Sequence, residues 1–293
     1  MNYIIFDLEW NQAADERYVV HEPIDLSGEI VEIGAVKLDD SFQPVDELRV
    51  YITPQYYSKL HHRIAALTHL SDRLLREQGL PFPEAYKRFL EWCGEEYAFM
   101  TWSTSDLPML VDNMLLHGMD VSALPDYYDI QRIFGREIMR SDSRCSLEHA
   151  LEILNERGDA AHDALHDARN TVKVCKHLDL EEYLGEYRSR VFAEQPNGKR
   201  YANRREALYD PALLEFSCPW CGEAVKCEDW LTLYGGATMA YGICPEGDEF
   251  LVQLSVTSSL RDECTAKRLI FEMSDDLWDL YMDRKEALHN EDV

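Results

Sequence analysis

Apolar residues recur in the N-terminal part of the chain with two spacings, one typical of buried strands and one of amphipathic helices. Continuous or alternating apolar runs predict strands at Tyr3–Phe6, Ile30–Leu38, Leu48–Ile52, Tyr97–Trp102 and Tyr127–Ile130. A spacing of three to four residues predicts helices around Tyr86 and Phe89 and at Asp106–His117, Leu147–Leu154 and Asp163–Leu178. Three consecutive strands followed by alternating helices and strands are typical of an α/β fold, a mixed sheet with helices on its faces.

The pattern changes after residue 180. Residues 181–215 resemble a connector, and their basic residues either guide a nucleic-acid strand or belong to a solvated linker. Those residues are Arg188, Arg190, Lys199, Arg200, Arg204 and Arg205. Residues 216–293 show short strand-like runs, two cysteine-containing turns and a terminal helix at Met273–Leu288. We therefore expect an α/β domain at 1–180, a basic connector at 181–215 and a small β module with a terminal helix at 216–293.

The composition is that of a strongly acidic chain with enough apolar residues for a core. Of 293 residues, 46% are hydrophobic, and the formal net charge is −26. Such a charge argues against a broad, non-specific grip on nucleic acid, which requires a positive surface. No apolar run approaches the length of a membrane span, and the start of the sequence lacks a signal-peptide pattern. We expect a soluble, cytoplasmic protein with no membrane partner.

Acidic residues stand where predicted strands end and helices begin. Asp7 and Glu9 follow the first apolar run and share one face, because strand side chains alternate. Asp106 lies at a strand-to-helix junction, and Asp167 lies in the last helix of the domain, shortly after His162. Carboxylate oxygens suit Mg²⁺ or Mn²⁺, and a pair of such ions promotes in-line phosphoryl displacement. A histidine titrates near neutral pH and can activate the attacking water.

Each of these residues also has an ordinary interpretation when it is taken alone. An Asp-x-Glu pair arises by chance in so acidic a chain, Asp106 fits a helix N-cap, and His162 fits a surface or core histidine. The ordered set of four carboxylates and one histidine is far rarer than any of its members. The set therefore indicates a two-metal phosphodiesterase site.

Longer stretches around these residues resemble the motifs of one nuclease family. The stretches are Phe6–Glu9, Glu29–Val36, Leu67-Thr68, Trp102–Asn113 and His162–Thr171. Over about residues 1–180 they are similar to the DEDDh 3′–5′ exonucleases, which are DnaQ-like enzymes with a ribonuclease H-like fold. The spacing of His162 from Asp167, with no tyrosine four residues before that aspartate, indicates the histidine branch.

The resemblance implies a role for each matching residue. The implied ligands of two Mg²⁺ or Mn²⁺ ions are Asp7, Glu9, Asp106 and Asp167, and the implied general base is His162. The implied contacts to the terminal base and sugar are Leu8, Trp10, Leu67 and Thr68. Trp10 fits a core or lid position equally well, and the segment Trp10–Glu29 has no counterpart in the family pattern, which leaves substrate choice open.

The cysteines of the last quarter indicate a second metal centre. Cys218 and Cys221, followed by Gly222, resemble the first turn of a zinc ribbon, whereas the turn at Cys244 carries Gly247 where a ribbon has its fourth cysteine. A structural Zn²⁺ needs four ligands, and the candidates for the fourth are Cys227, Asp248 and Cys264. The alternative is a metal-free ribbon held by the packing of Trp220, Trp230, Tyr234 and Phe250.

The leading functional hypothesis is a metal-dependent exonuclease that acts on the 3′ ends of single-stranded RNA or DNA and releases nucleoside 5′-monophosphates. The first alternative is a non-catalytic regulator that binds nucleic acid or protein through a nuclease fold. The second is a zinc-dependent adaptor centred on residues 216–293, which would offer a protein partner a surface.

Overall fold

The computed structural model describes residues 1–20, 26–121, 124–141, 144–185, 189–194, 199–233, 237–258 and 263–291. The chain forms two compact units, the first comprising residues 1–20, 26–119 and 125–185 and the second comprising chiefly the residues from 186 onward. Residues 21–25, Arg188 and Tyr234, which belong to the predictions from the sequence, lie outside the described part.

A five-stranded mixed sheet forms the centre of the first unit and confirms the predicted α/β fold. In the order β3-β2-β1-β4-β5 its strands are β1 Asn2–Asn11, β2 Glu29–Leu38, β3 Pro44–Tyr51, β4 Tyr97–Thr101 and β5 Asp126–Asp129. The first three strands form an antiparallel meander, and β4 and β5 join parallel to β1. Strand β1 continues well beyond the predicted end at Phe6, so Asp7 and Glu9 lie within the strand.

Helices pack on the faces of this sheet. They are α1 His62–Thr68, α2 Asp72–Gln78, α3 Phe82–Cys93, α4 Asp106–Leu116, α5 Ile130–Phe134, α6 Leu147–Ile153, α7 Ala164–Cys175 and α8 Leu180–Tyr183, with a 3₁₀ turn at Glu16–Tyr18 and a π turn at Gly135–Met139. Helix α7 packs on β1 and β2, and α4 also packs on β2. Buried residues on both faces explain why β2 reads as an almost continuous apolar run.

The second unit is an antiparallel sheet with one long helix. In the order β6-β11-β10-β9-β8-β7 its strands are β6 Ser189–Glu194, β7 Glu215–Ser217, β8 Ala224–Thr232, β9 Ala237–Ile243, β10 Glu249–Ser258 and β11 Cys264–Glu272. The helices are α9 Arg204–Leu208, α10 Pro211–Leu214 and α11 Asp275–Glu291, and α11 packs on β8, β9 and β10. Among the described residues, no helix has both the length and the apolar character that a membrane span requires.

The segment 199–215 is folded into the second unit and does not form a free connector. The side chains of Tyr201 and Leu213 are buried there. Two of the predicted guiding cations are in ion pairs, Lys199 with Asp210 at 2.7 Å and Arg200 with Glu263 at 3.1 Å. The positive charges of Lys199 and Arg200, which were candidates for contacts with a nucleic-acid strand, are therefore neutralised within the second unit.

Candidate active site

Strand β1 carries Asp7 and Glu9 in the middle of the first sheet. Both are half-buried, while Phe6 and Leu8, which alternate with them along the strand, are buried. One carboxylate oxygen from each of Asp7, Glu9 and Asp167 lies within 4.8 Å of the others. That separation suits ligands shared by one cation or by a closely spaced pair of cations.

Asp167 reaches β1 because the start of α7 lies directly against the sheet. The contact occurs over Gly34 of β2, which pairs with Asp7 across the β1–β2 ladder. A β-carbon at position 34 would lie 2.0 Å from the backbone nitrogen of Leu165 and 2.1 Å from the carbonyl carbon of Ala164. A glycine is therefore required here so that α7 can bring Asp167 up to Asp7.

Replacing Gly34 with Ala should displace the start of α7 and disrupt the carboxylate cluster. The added methyl group meets backbone atoms, which cannot rotate away, so we expect destabilisation of about 3 kcal/mol together with weaker Mg²⁺ binding. Urea unfolding and Mg²⁺ calorimetry measure the two effects. The matched control is Gly185→Ala, whose β-carbon would have its nearest neighbour at 4.0 Å. Wild-type stability and metal binding in Gly34→Ala would contradict this account.

Asp106 is the first residue of α4, and its carboxylate reaches β1. Its Oδ1 accepts a hydrogen bond of 3.1 Å from the backbone N–H of Leu8, and its side chain is buried. Strand β4 ends at Thr101, so the N–H of Leu8 has no partner from that strand and is free for the carboxylate. The bond fixes Asp106 beside Asp7, although Asp106 lies outside the tight group of three oxygens.

A partly buried ionic network holds α7 in position, and no motif in the sequence predicted it. Arg49 of β3 lies 3.4 Å from Glu32 of β2 and 2.5 Å from Asp163. Asp163 caps α7 by accepting a hydrogen bond from the N–H of His166. The signal available in the sequence was Glu32, a charged residue with apolar neighbours on both sides in β2.

His162 immediately precedes the cap of α7 and has an unusual backbone. Its φ angle of +62° is in the left-handed region, which few residues other than glycine adopt. Its N–H donates a 2.9 Å hydrogen bond to Oδ2 of Asp167, and its side chain is exposed. Asn170 holds the preceding segment by accepting a 2.7 Å hydrogen bond from the N–H of Asp159 and donating to the Asp159 carbonyl. The imidazole is therefore presented beside the carboxylates by a fixed backbone.

One cavity of about 930 Å³ brings the predicted groups together. Its lining includes Asp7, Glu9, Asp106, Asp167 and His162, and also the predicted substrate contacts Leu8, Trp10 and Leu67. Thr68 is the exception, because its side chain is buried and its hydroxyl donates to the carbonyl of Ile64. That hydroxyl is used within α1, and Thr68 is not part of the lining.

Burial and mutual repulsion raise the pKa of every carboxylate in the cluster. Burial is the largest cause in each case. It raises the pKa of Glu9 to about 8 and that of Asp106 to about 7. The pKa of Asp7 lies well above its ordinary value because of burial and the charges of Asp106, Asp167 and Glu9. The pKa of Asp167 is raised for the same principal reason. Cations bound nearby would offset both the cost of burying these carboxylates and their mutual repulsion. The cluster therefore suits metal ions.

We predict that Mg²⁺ stabilises the protein more strongly as the pH rises. Without metal, the raised pKa values mean that the folded carboxylates keep protons that the unfolded chain has lost. The stability of the metal-free protein therefore falls as the pH rises through about 7 for Asp106 and about 8 for Glu9. Mg²⁺ displaces those protons at low pH and meets free carboxylates at high pH.

The measurement is the difference in Tm with Mg²⁺ and with EDTA, taken from about pH 5.5 to about pH 8.5. The difference should grow across this range, and it should be small at every pH in an Asp7→Asn variant. A Mg²⁺ effect that is constant or largest at acid pH would show that the metal stabilises the protein somewhere else.

The predicted zinc residues lie together in the second unit. Cys218, Cys221, Cys244 and Asp248 each place one ligand atom within 4.8 Å of the others. Cys227 and Cys264, the other candidates for a fourth ligand, pack instead among apolar side chains of the unit.

Comparison with solved structures relates the fold to known nucleases. The chain resembles cell-death related nuclease 4 with 21% identity and a TM-score of 0.51, over 60% of this chain and 62% of that one. It resembles the nuclease domain of 3′hExo, a DEDDh family member bound to rAMP, with 19% identity and a TM-score of 0.50, over 62% and 92%. It resembles E. coli exonuclease I in complex with a dA16 oligonucleotide with 13% identity and a TM-score of 0.51, over 82% and 54%.

These similarities establish the fold, and the chain spans less than two thirds of the length of the first and the third of these proteins. No curated protein sequence is similar enough to this chain to count as a match. The family model for exonucleases, RNase_T, matches residues 4–175 and so includes all four carboxylates and His162. The chain therefore belongs to the RNase_T exonuclease family, which implies a requirement for divalent metal ions.

Proposed function

We propose that this protein is a 3′–5′ exonuclease that uses two Mg²⁺ or Mn²⁺ ions to remove nucleoside 5′-monophosphates from single-stranded RNA or DNA. The observation that carries the proposal is the meeting of four carboxylates and one histidine at a single cavity of the exonuclease fold. No member of the set is replaced, which is not the pattern expected of a decayed nuclease that only binds.

Within this proposal the side chains have separate tasks. Asp7 and Glu9 from β1 and Asp167 from α7 would hold the two metal ions, and Asp106 from α4 would complete the ligand set. Divalent ions bound there would supply Lewis-acid activation of the phosphate and would neutralise charge on the departing oxygen. His162, at the exposed rim, takes the proton of the attacking water.

The charge of the cavity supports attack at a chain end. Among the residues that the structure describes, its lining includes eight carboxylates and no Lys or Arg: Asp7, Glu9, Asp106, Glu148, Glu152, Glu156, Asp159 and Asp167. A long stretch of phosphates would be repelled here, because backbone binding normally needs cationic side chains. The cavity therefore accepts only a short stretch of the strand, whose phosphate charge the metal ions can neutralise. A terminal nucleotide is such a stretch.

The apolar part of the lining suits a nucleobase. Trp10, Ile64 and Leu67 line the same cavity as the carboxylates, and the side chain of Leu67 is 47% exposed. An aromatic or aliphatic surface beside a charged centre binds a base by stacking and packing without selecting its identity. Two structural neighbours were solved with rAMP and with a dA16 oligonucleotide, which supports a nucleic-acid substrate for this chain.

The decisive experiment follows the digestion of matched single strands of RNA and DNA, each labelled at the 5′ end or at the 3′ end. A 3′–5′ exonuclease releases labelled mononucleotide at once from the 3′-labelled strand and a shortening ladder from the 5′-labelled strand. Mg²⁺ or Mn²⁺ should be required, and EDTA should stop the reaction. Internal fragments at early times, or cleavage in EDTA, would overturn the proposal, and binding without product would favour the non-catalytic regulator.

A further inference from the structure

Two turns of the second unit lie side by side at one end of its sheet. The first turn connects β7 to β8 and contains Cys218 and Cys221, and the second connects β9 to β10 and contains Cys244 and Asp248. Strands β8 and β9 are antiparallel, with Lys226 opposite Ile243, so both turns lie at the same end of the sheet. The topology thus brings together residues that are more than twenty positions apart in the sequence.

The ligand atoms of the two turns have the spacing of a tetrahedral metal site. The sulfurs of Cys221 and Cys244 are 3.8 Å apart. Oδ2 of Asp248 lies 3.3 Å from the sulfur of Cys218 and 3.1 Å from that of Cys244. With Zn–S bonds near 2.3 Å and Zn–O bonds near 2.1 Å, neighbouring ligands of a tetrahedral Zn²⁺ lie about 3.5–3.8 Å apart. A small inward or outward adjustment would accommodate the ion.

The backbone around these sulfurs is arranged as it is around bound thiolates. The N–H of Trp220 points at the sulfur of Cys218 at 3.4 Å, and the N–H of Asp248 points at the sulfur of Cys244 at 3.3 Å. Such bonds orient metal ligands and stabilise their charge. Cys218 and Cys244 are buried in the apolar core with Phe216 and Phe250, whereas Cys221 is exposed and Asp248 is half-buried.

We propose that Cys218, Cys221, Cys244 and Asp248 bind one Zn²⁺ that joins the two turns. Thiolates favour Zn²⁺ over Mg²⁺ or Mn²⁺, and zinc also accepts a carboxylate oxygen as its fourth ligand. The missing cysteine at Gly247 does not break the site, because Gly247 has a φ angle of +97° and the next residue, Asp248, supplies the ligand. The ion stabilises the fold of the second unit by joining its two turns, and it is distinct from the metal ions of the proposed nuclease site.

The test measures metal content and cobalt spectra in the full chain. An Asp7→Asn background is used so that zinc or cobalt does not bind at the carboxylate cluster. We expect one zinc per untagged chain and, after replacement by Co²⁺, the strong thiolate-to-cobalt charge-transfer absorption that carboxylate sites lack. Loss of a residue that only hydrogen-bonds to a metal ligand weakens metal binding by up to roughly 100-fold. Asp248→Asn removes a ligand and should weaken zinc binding by more than that. Asp248→Cys should bind at least as tightly as the parent and add thiolate absorption.

The matched control is Cys227→Ser, which removes a nearby thiol that is not a ligand and should leave zinc affinity and the cobalt spectrum unchanged. Competition with a chromogenic chelator provides the affinities. The proposal is overturned if the parent protein binds neither ion with thiolate absorption, if it holds iron, or if Cys221 and Cys244 form a disulfide. It is also overturned if Asp248→Asn binds zinc as tightly as its parent. None of these readouts depends on nuclease activity.

Discussion

Replacing Asp7 with Asn should abolish nuclease activity and at the same time stabilise the metal-free protein. In the proposed site Asp7 would share the metal ions with Glu9 and Asp167, whose carboxylate oxygens lie within 4.8 Å of its own. Loss of a ligand that supplies several kcal/mol lowers the rate by about 10³-fold or more. Without metal the same carboxylate destabilises the folded state when it is ionised, because burial and its acidic neighbours raise its pKa. A neutral amide of the same shape relieves that repulsion.

The two effects separate a functional role of Asp7 from a structural one. With EDTA at about pH 8, relief of roughly 1 kcal/mol would raise the Tm of Asp7→Asn by about 2–4 °C. With saturating Mg²⁺ the order should reverse, since the wild type gains about 2.7 kcal/mol at a hundredfold excess over Kd and the variant gains little. The control is Glu95→Gln, which removes an exposed carboxylate. An inactive Asp7→Asn that is less stable than the wild type in EDTA would instead indicate a structural role.

The carboxylates could be predicted from the sequence because their positions depend on local structure. A strand alternates its side chains whatever it pairs with, so Asp7 and Glu9 had to share a face. Asp106 and Asp167 had to stand near helix starts, because the helical periodicity begins there. Local rules could not show that Gly34 allows α7 to touch the sheet, since that contact joins parts of the chain far apart in sequence.

The remaining differences also come from long-range pairing. Arg49 reaches Asp163 only because β3 pairs with β2 and α7 lies across them. Asp248 could not be chosen over Cys227 without knowing which turns the β8–β9 register brings together. Thr68 is a similar case, because a family motif predicted a substrate contact and the helical backbone uses the hydroxyl instead. The segment 199–215 was predicted to be a connector because its charges are conspicuous, whereas its few apolar residues determine its packing.

Replacing His162 with Asn should lower the rate of hydrolysis by about 10²–10⁴-fold and leave metal binding intact. Asn is the informative substitute because it tolerates the left-handed backbone at this position and keeps the N–H that bonds to Asp167. It cannot accept the proton of the attacking water. The loss should therefore appear in kcat, with little change in KM.

A matched histidine exists elsewhere in the first unit. His69 ends α1 with a φ angle of +58°, is exposed and does not line the cavity, so His69→Asn reproduces the substitution and its backbone setting. That variant should keep wild-type rates and the wild-type pH profile. If His162→Asn keeps the wild-type rate, as His69→Asn should, another group takes the proton of the attacking water. If His162→Asn instead loses Mg²⁺ binding, the side chain of His162 serves the metal site and does not act as the base. If only His162→Asn is slow and its Mg²⁺ titration is unchanged, the imidazole itself takes the proton, since the backbone contact to Asp167 is common to both forms of the enzyme.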